Sequence, residues 1–338
     1  MFRQLVVDAQ LLGGSATLNF LRLPSSAASC AKGGLVVALD DPELSDAAQN
    51  PALMLLSDRL RMQASFLHLP GGGQQYTLTA VSTLKRSSIL TGVSLQYVDQ
   101  GEVAATDASG NSLGRLRSRE WSLQLLASMP YKTRWTGGAS AQLAHASYGI
   151  YRASSLLSNI GIQYRDTAQG WFAGGVLRHA GFFLSRFSEG DRSELPLELA
   201  FGIWKKLVGS PFSVGCTFQR MQRWETETEE LFDPALSVTG IDSRRATFAG
   251  QFFNHLILSA RIELHPRIQF LGGYNFLRRR ELTWAAGING LTGFSYGFQA
   301  RLDPLRVSFG RAHYQAGTAL SQVSLEFSPS SIRKGWRR

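Results

Sequence analysis

His145 and Ser147 stand two residues apart, a spacing that puts both side chains on one face of an extended segment. A base beside a hydroxyl is the pairing a barrel-borne lipase could exploit, but an isolated His and Ser in a Ser-rich wall is weak evidence for one. The pair therefore predicts no hydrolase, and the chain reads as non-catalytic. The six histidines, His68, His145, His179, His255, His265 and His313, are scattered, and no CxxC or HExxH occurs, so the sequence predicts neither a metal nor a cofactor. The acidic run from Glu225 to Glu230 with Asp233 either gathers divalent cations or is a hydrated loop. Of the two cysteines, Cys216 shares parity with Val214 and Phe218 and should face outward, whereas Cys30 lies in the amino-terminal segment; no disulfide is expected.

Two further groups suggest binding rather than reaction. Arg278, Arg279, Arg280 and Glu281 concentrate charge at the end of a strand-like segment. There they can pair with polar groups of a partner, bind lipid phosphate, or tie neighbouring loops together. Phe182, Phe183 and Phe187 sit close together in what reads as a loop, either as an aromatic contact anchor or folded inward to cap an opening.

The elements that carry these residues alternate in character. Val323, Leu325 and Phe327 oppose Gln322, Ser324 and Glu326; Trp121, Leu123 and Leu125 oppose Ser122 and Gln124. Leu195, Leu197, Leu199, Phe201 and Ile203 oppose Glu198 and Gly202, while Phe252, Leu256, Leu258 and Ile262 oppose His255, Ser259, Arg261 and Glu263. Such parity marks strands with one apolar and one polar face. Strands are expected near 60–69, 74–84, 87–98, 117–129, 133–147, 152–165, 169–179, 194–207, 211–222, 250–263, 267–278, 293–302, 305–313 and 319–328, about fourteen in all, an even number.

A soluble sandwich would alternate in the same way, so the connections decide. Short ones (84–88, 130–134, 166–170, 208–211, 265–267, 303–305) alternate with longer ones (99–116, 145–155, 180–193, 223–249, 278–290), although 69–75 and the connection after His313 are brief. Short turns on one rim and long loops on the other are the plan of a transmembrane antiparallel β-barrel. Charged residues make up only 18% of the chain, yet no apolar run reaches the roughly 20 residues a membrane helix needs. A net charge of +10 raises the question of nucleic acid. The basic groups, however, are spread over strand ends, loops and the tail 332–338, and no nucleic-acid partner is expected.

Residues 1–12 read as a residual leader or a disordered start, 13–58 as a hatch segment without strand alternation, 59–328 as the barrel and 329–338 as a basic tail. A lumen of about fourteen strands would be open unless chain fills it, which places the hatch inside.

Gly13-Gly14, NFLRLPSSAASCAKGG (19–34), DDPELSDAAQNPALM (40–54), DASGNSLGRLRS (107–118), LGGYNFLRRRE (271–281), GLTGFSYGFQARL (290–302) and VSFGRAHYQAGTALSQVSLEF (307–327) resemble the PorQ family. These are outer-membrane barrels of the Bacteroidota type IX secretion system, within the wider PorV/FadL-like superfamily. The element Asn50-Pro51-Ala52 is similar to one shared across that superfamily, whereas the RRRE and GFSYGF passages narrow the resemblance. It implies an outer-membrane anchor with long loops extracellular, docking a PorZ-like surface protein within an attachment complex that includes PorU- and PorV-like proteins. The surrounding outer-membrane lipid and lipopolysaccharide would be further partners. The alternative within the same superfamily is a FadL-like transporter of a hydrophobic small molecule.

Overall fold

The computed structural model describes residues 17–54, 60–84, 88–106, 112–188, 193–223, 248–281, 290–315 and 318–328. Fourteen strands form one closed antiparallel barrel in which each strand pairs with its sequence neighbours and the first pairs with the last. They are β1 (Arg61–His68), β2 (Gln74–Thr83), β3 (Leu90–Thr106), β4 (Ser112–Tyr131), β5 (Trp135–Tyr148), β6 (Tyr151–Asp166), β7 (Trp171–Ser185), β8 (Glu198–Lys206), β9 (Phe212–Phe218), β10 (Leu256–His265), β11 (Ile268–Asn275), β12 (Phe294–Leu302), β13 (Leu305–Gln315) and β14 (Thr318–Phe327). Closure runs from Met62 against Phe327 to His68 against Ser321. A closed ring leaves no unpaired edge, which is what makes a sheet tolerable in lipid.

The side-chain parity reads as expected. Gln322, Ser324 and Glu326 are buried inside, while Val323 and Leu325 are exposed on the outer face. Ser122 and Gln124 point in, and Leu123 and Leu125 point out. Exposed outer rows such as Ile160 and Ile162 or Phe201 and Ile203 are suited to hydrocarbon, not water.

Several boundaries differ from the sequence reading. The connection placed at 99–116 is largely strand, because β3 and β4 continue as a two-stranded ribbon with Glu102 opposite Arg117. One opposite-charge pair in register supports this ladder, and residues 102–106 and 112–117 show no clear alternation in sequence to announce it. The 145–155 connection shrinks to a turn at Gly149 and Ile150, since β5 and β6 run on to meet at Tyr148 and Tyr151. Strand β9 ends at Phe218 rather than 222, and β10 begins only at Leu256. Residues Phe248–Asn254 are a helix, α2, with Phe252 on it. The segment after β11 also turns helical, over Phe276–Glu281 (α3). Asn275 Oδ1 accepts from the Arg278 amide at 3.1 Å, an N-terminal cap that ends the strand and starts the helix. The acidic run 225–233, Lys85, Arg86, Arg244, Arg245 and the tail from 329 lie outside the described residues, as do 1–16 and 55–59.

Residues 17–54 are almost wholly buried and enclosed by the strands. Ser26 caps a one-turn helix, α1, over Ala27–Ala31, and tight 3-10 turns follow at Leu44–Ala48 and Pro51–Leu53.

Candidate functional site

The strongest concentration of specific contacts lies where the inward polar faces meet this luminal segment. Glutamines of the wall reach its backbone: Gln75 donates to Pro24 O at 3.0 Å, Gln163 to Leu39 O at 2.7 Å, and Gln63 Oε1 accepts from the Ser45 amide at 2.8 Å. A segment with little regular structure has carbonyls and amides to satisfy, and a wall of amide side chains supplies the partners.

Asn50 organises the middle of the segment. Its Nδ2 donates to Val37 O at 2.7 Å, and its Oδ1 accepts from the Ala52 amide at 3.0 Å, capping the turn that begins at Pro51. This turn lies flush against β5 and β6, where Gly138 and Gly161 face each other in register. A Cβ on Gly138 would lie 2.5 Å from the Ala52 nitrogen, and one on Gly161 would overlap Asn50 Oδ1. Only glycine lets the backbone turn approach this closely.

At the short-turn rim the segment is held by charge. Asp40 receives two bonds from Arg261, at 2.8 and 2.5 Å, and Asp41 pairs with Arg301 at 2.6 Å and Arg306 at 3.0 Å. Burial alone would raise the Asp41 pKa, but the Arg306 and Arg301 charges outweigh it and hold the carboxyl below its usual range. Deeper in, Glu43 accepts from Gln63 and Gln299 at 2.8 and 2.9 Å and from Ser308. Asp46 accepts from the Ser26 hydroxyl at 2.6 Å and from the Glu43 amide at 2.9 Å. Both carboxyls are pushed upward, chiefly by burial and, for Glu43, by the Asp46 charge as well. Lys32 is buried nearby, and burial lowers its pKa.

Towards the long-loop rim the lining changes character. Leu18, Phe20, Leu21 and Leu23 pack with Leu67, Leu69, Val98, Leu157, Tyr314 and Leu320 from the upper ends of the strands, with Phe183, Phe187 and Tyr148 against them. The mouth is thus lined by one apolar cluster, and below it the amide and carboxylate contacts are interspersed with further apolar clusters, around Leu44, Val81 and Leu126 and around Leu53, Phe172 and Trp204.

The residues singled out from sequence fall into this frame unevenly. Arg278 is not at the rim but buried, with its Nη2 donating to Gly33 O at 3.0 Å and to the Tyr314 hydroxyl at 2.9 Å, and its guanidinium 3.9 Å from the Tyr314 ring centre. Helix α3 swings it inward because the Asn275 cap ends the strand before the arginines, and on a helix neighbouring side chains point in different directions. Arg279 and Arg280 remain half-buried on α3, and Glu281 is its last residue. Phe182 and Phe183 belong to β7, not to a loop, so period-two alternation splits them. Phe182 is exposed outside, whereas Phe183 and Phe187 fold inward onto the mouth cluster, Phe187 with its ring 5.1 Å from that of Tyr148.

His145 meets Ser154 across the β5–β6 ladder at 2.8 Å, not Ser147, and sits beside the Trp121 ring. Both cysteines are free, Cys30 in the luminal helix and Cys216 in the wall. Among the described residues no group of histidine, cysteine and acidic side chains could hold a metal ion. The sequence reading missed Gly138, Gly161 and the Asp40–Asp41 lock. Paired aspartates in a segment otherwise poor in charge, and arginines at 301 and 306 that continue the inward polar parity of their strands at the rim, were the available signals.

No protein-family model matches the chain, and no curated protein matches it. Among solved structures it is similar to the toluene transporter TodX of Pseudomonas putida, with 12% identity, covering 90% of this chain and 97% of that chain at a TM-score of 0.51. It is also similar to the CymD monoaromatic hydrocarbon channel, with 12% identity, covering 90% and 96% at 0.53. At this identity the likeness is one of fold: the chain shares the closed β-barrel fold of these two proteins.

Proposed function

We propose that this chain is an outer-membrane barrel that takes a small hydrophobic molecule in at its long-loop mouth, with the luminal segment as the element that moves to let it pass. The observation that carries this reading is the apolar cluster around Leu18, Phe20 and Leu21 at the mouth. It stands in a fold shared over nearly the whole chain with a toluene transporter and a monoaromatic hydrocarbon channel. A molecule without hydrogen-bonding groups gains from burial against such a lining, at about 25 cal/mol per Å² of apolar surface. Below the cluster the luminal segment fills the barrel and is bonded to its wall, so transfer requires the segment to shift. The test is uptake of a monoaromatic hydrocarbon into liposomes carrying the purified barrel. Faster entry than into protein-free liposomes is expected; equal rates would sink the reading.

A second reading has its own support. The luminal segment is tied to the wall by the Asp40–Arg261 and Asp41–Arg306 pairs, and the strand ring is closed. A filled, closed barrel suits a non-catalytic scaffold that transports nothing. Under this reading the chain is a PorQ-like anchor in the outer membrane of a Bacteroidota cell, with its long loops extracellular. It docks a PorZ-like surface protein near PorU- and PorV-like proteins and lipopolysaccharide. Arg279, Arg280, Glu281 and Phe182 are the residues left for contact, since Arg278, Phe183 and Phe187 serve the interior. Affinity purification from solubilised outer membranes separates the readings: recovery of one stoichiometric surface protein supports the anchor, and its absence together with hydrocarbon uptake supports the channel.

A further inference from the structure

At the short-turn rim the ends of β4 to β8 set cations among aromatic rings on the outer face of the barrel. Across β4 to β8 the register sets Tyr131 opposite Trp135, Trp135 opposite Tyr164, Asp166 opposite Trp171, and Trp171 opposite Lys205. Tyr131, Trp135 and Trp171 are exposed, and the Trp135 and Tyr164 rings lie 5.0 Å apart. Three cations stand among these rings. Lys132 Nζ is 5.3 Å from the Tyr131 ring centre. Arg134 donates to the Tyr164 hydroxyl at 3.0 Å and pairs with Asp166 at 3.0 Å. Lys205 Nζ lies 4.3 Å from the Trp171 ring centre and donates to Gln169 O at 2.7 Å. Neither lysine meets a carboxylate among the described residues.

The same strands continue into an apolar outer face: Met129 on β4, Ile160 and Ile162 on β6, Phe201 and Ile203 on β8, all exposed. The corresponding ends of β9 to β12 present Phe212, Leu264, Ile268 and Leu302, and Arg267 is exposed at the β10–β11 turn. Exposed tryptophan and tyrosine at the edge of such a face sit at the level of lipid headgroups. A lysine there gains about 1 kcal/mol from an anionic lipid surface. A zwitterionic headgroup offers no such net gain, because its own ammonium competes for the phosphate.

We propose that the short-turn ends of β4 to β8 form a binding surface for anionic phospholipid, with phosphates at Lys132 and Arg134 and at Lys205, and acyl chains along Ile160, Ile162, Phe201 and Ile203. This rests on the membrane-spanning fold and is independent of what, if anything, the barrel transports. Trp135 and Trp171 make the surface observable, because brominated acyl chains quench tryptophan on contact. The experiment reconstitutes the full chain into vesicles of mixed phosphatidylcholine and phosphatidylglycerol, brominating one lipid at a time. Phosphatidylglycerol should quench in preference to phosphatidylcholine. Lys132→Gln and Lys205→Gln should each lower the preference contributed at their own position by about fivefold, and raised salt should lower it in the unaltered protein. Arg267→Gln, at the β10–β11 turn, should leave it unchanged, and heat-modifiable migration confirms that each variant is folded. Equal quenching by both lipids, indifference to the lysine variants, or an equal loss in Arg267→Gln would overturn the proposal. Displacement by soluble glycerol phosphate would do the same, since it would show a phosphate site that needs no lipid.

Discussion

The side-chain oxygen of Asn50 occupies the space above Gly161 that the Cβ of any larger residue would claim. Luminal turn and barrel wall are therefore fitted closely to each other at this position, and the fit can be tested from both sides.

Gly161→Val should cost about 1–3 kcal/mol, the usual range for overpacking a close contact. Asn50→Gly, which removes the cap and the bond to Val37 O but clears the space, should cost about 1 kcal/mol. If the contact is what matters, the double variant should lose less than the sum of the two. Urea midpoints of refolding into detergent micelles, taken around the full cycle, read the coupling; strict additivity would show that the two residues do not sense each other.

Cys30 reports on the state of the luminal segment. Burial pushes its thiol up to about 12, so in the folded barrel it should resist maleimide at neutral pH. Labelling should appear only on unfolding or on release of the segment. Mass spectrometry of labelled peptides measures it directly, and prompt modification of Cys30 in the folded protein would contradict the enclosed position described above.

Asp41→Asn should loosen the segment at pH 7 by about 1 kcal/mol, since the carboxylate and Arg301 are both partly exposed to solvent, and accelerate Cys30 labelling accordingly. Acid should have the same effect on the unaltered protein. The Asp41 carboxyl is depressed when folded, so its contribution is complete above the unfolded value of about 3.9 and is lost as pH falls through the lower folded value. Glu43 and Asp46 work in the opposite sense. Their raised values add stability in acid that is lost as pH climbs through them. Glu43→Gln should therefore flatten the upper part of the pH profile without removing the acid limb, and loss of the acid limb in that variant would reassign the lock to Glu43.

Arg278→Met keeps an unbranched apolar stem but removes the bonds to Gly33 O and the Tyr314 hydroxyl. Loop 276–293 and the luminal segment should uncouple, read as faster protease cleavage after Arg279 or Arg280 and faster Cys30 labelling together. Tyr314→Phe, which keeps the ring under the guanidinium, should show a smaller effect of about 1 kcal/mol. Cleavage that rises while Cys30 remains protected would place Arg278 in loop folding alone.

How much of this was legible beforehand depended on what each feature is made of. Alternation in segments such as 321–327 and 121–125 fixed the wall, because a strand with lipid on one side and a polar lumen on the other must alternate residue by residue. Parity also oriented Cys216 and the inward Gln, Ser and Glu rows correctly, and the brevity of turns such as 265–267 and 303–305 identified one rim. Those are properties of neighbours in the chain. The identity of the contacts is not. Whether Arg278 faced a partner or Gly33 turned on one capping bond at Asn275 and on a carbonyl 245 residues away in sequence. Phe182 and Phe183 looked like one anchor until β7 ran through both and sent them to opposite faces. Gly161 carries no chemistry of its own, so nothing in its surroundings announced that Asn50 would lie over it. Sequence by itself determined that this chain closes a transmembrane barrel, since periodicity and turn spacing are local. Only the tertiary structure decided what fills that barrel and what holds it there, because the luminal segment has no periodicity to read and each of its partners comes from a different strand.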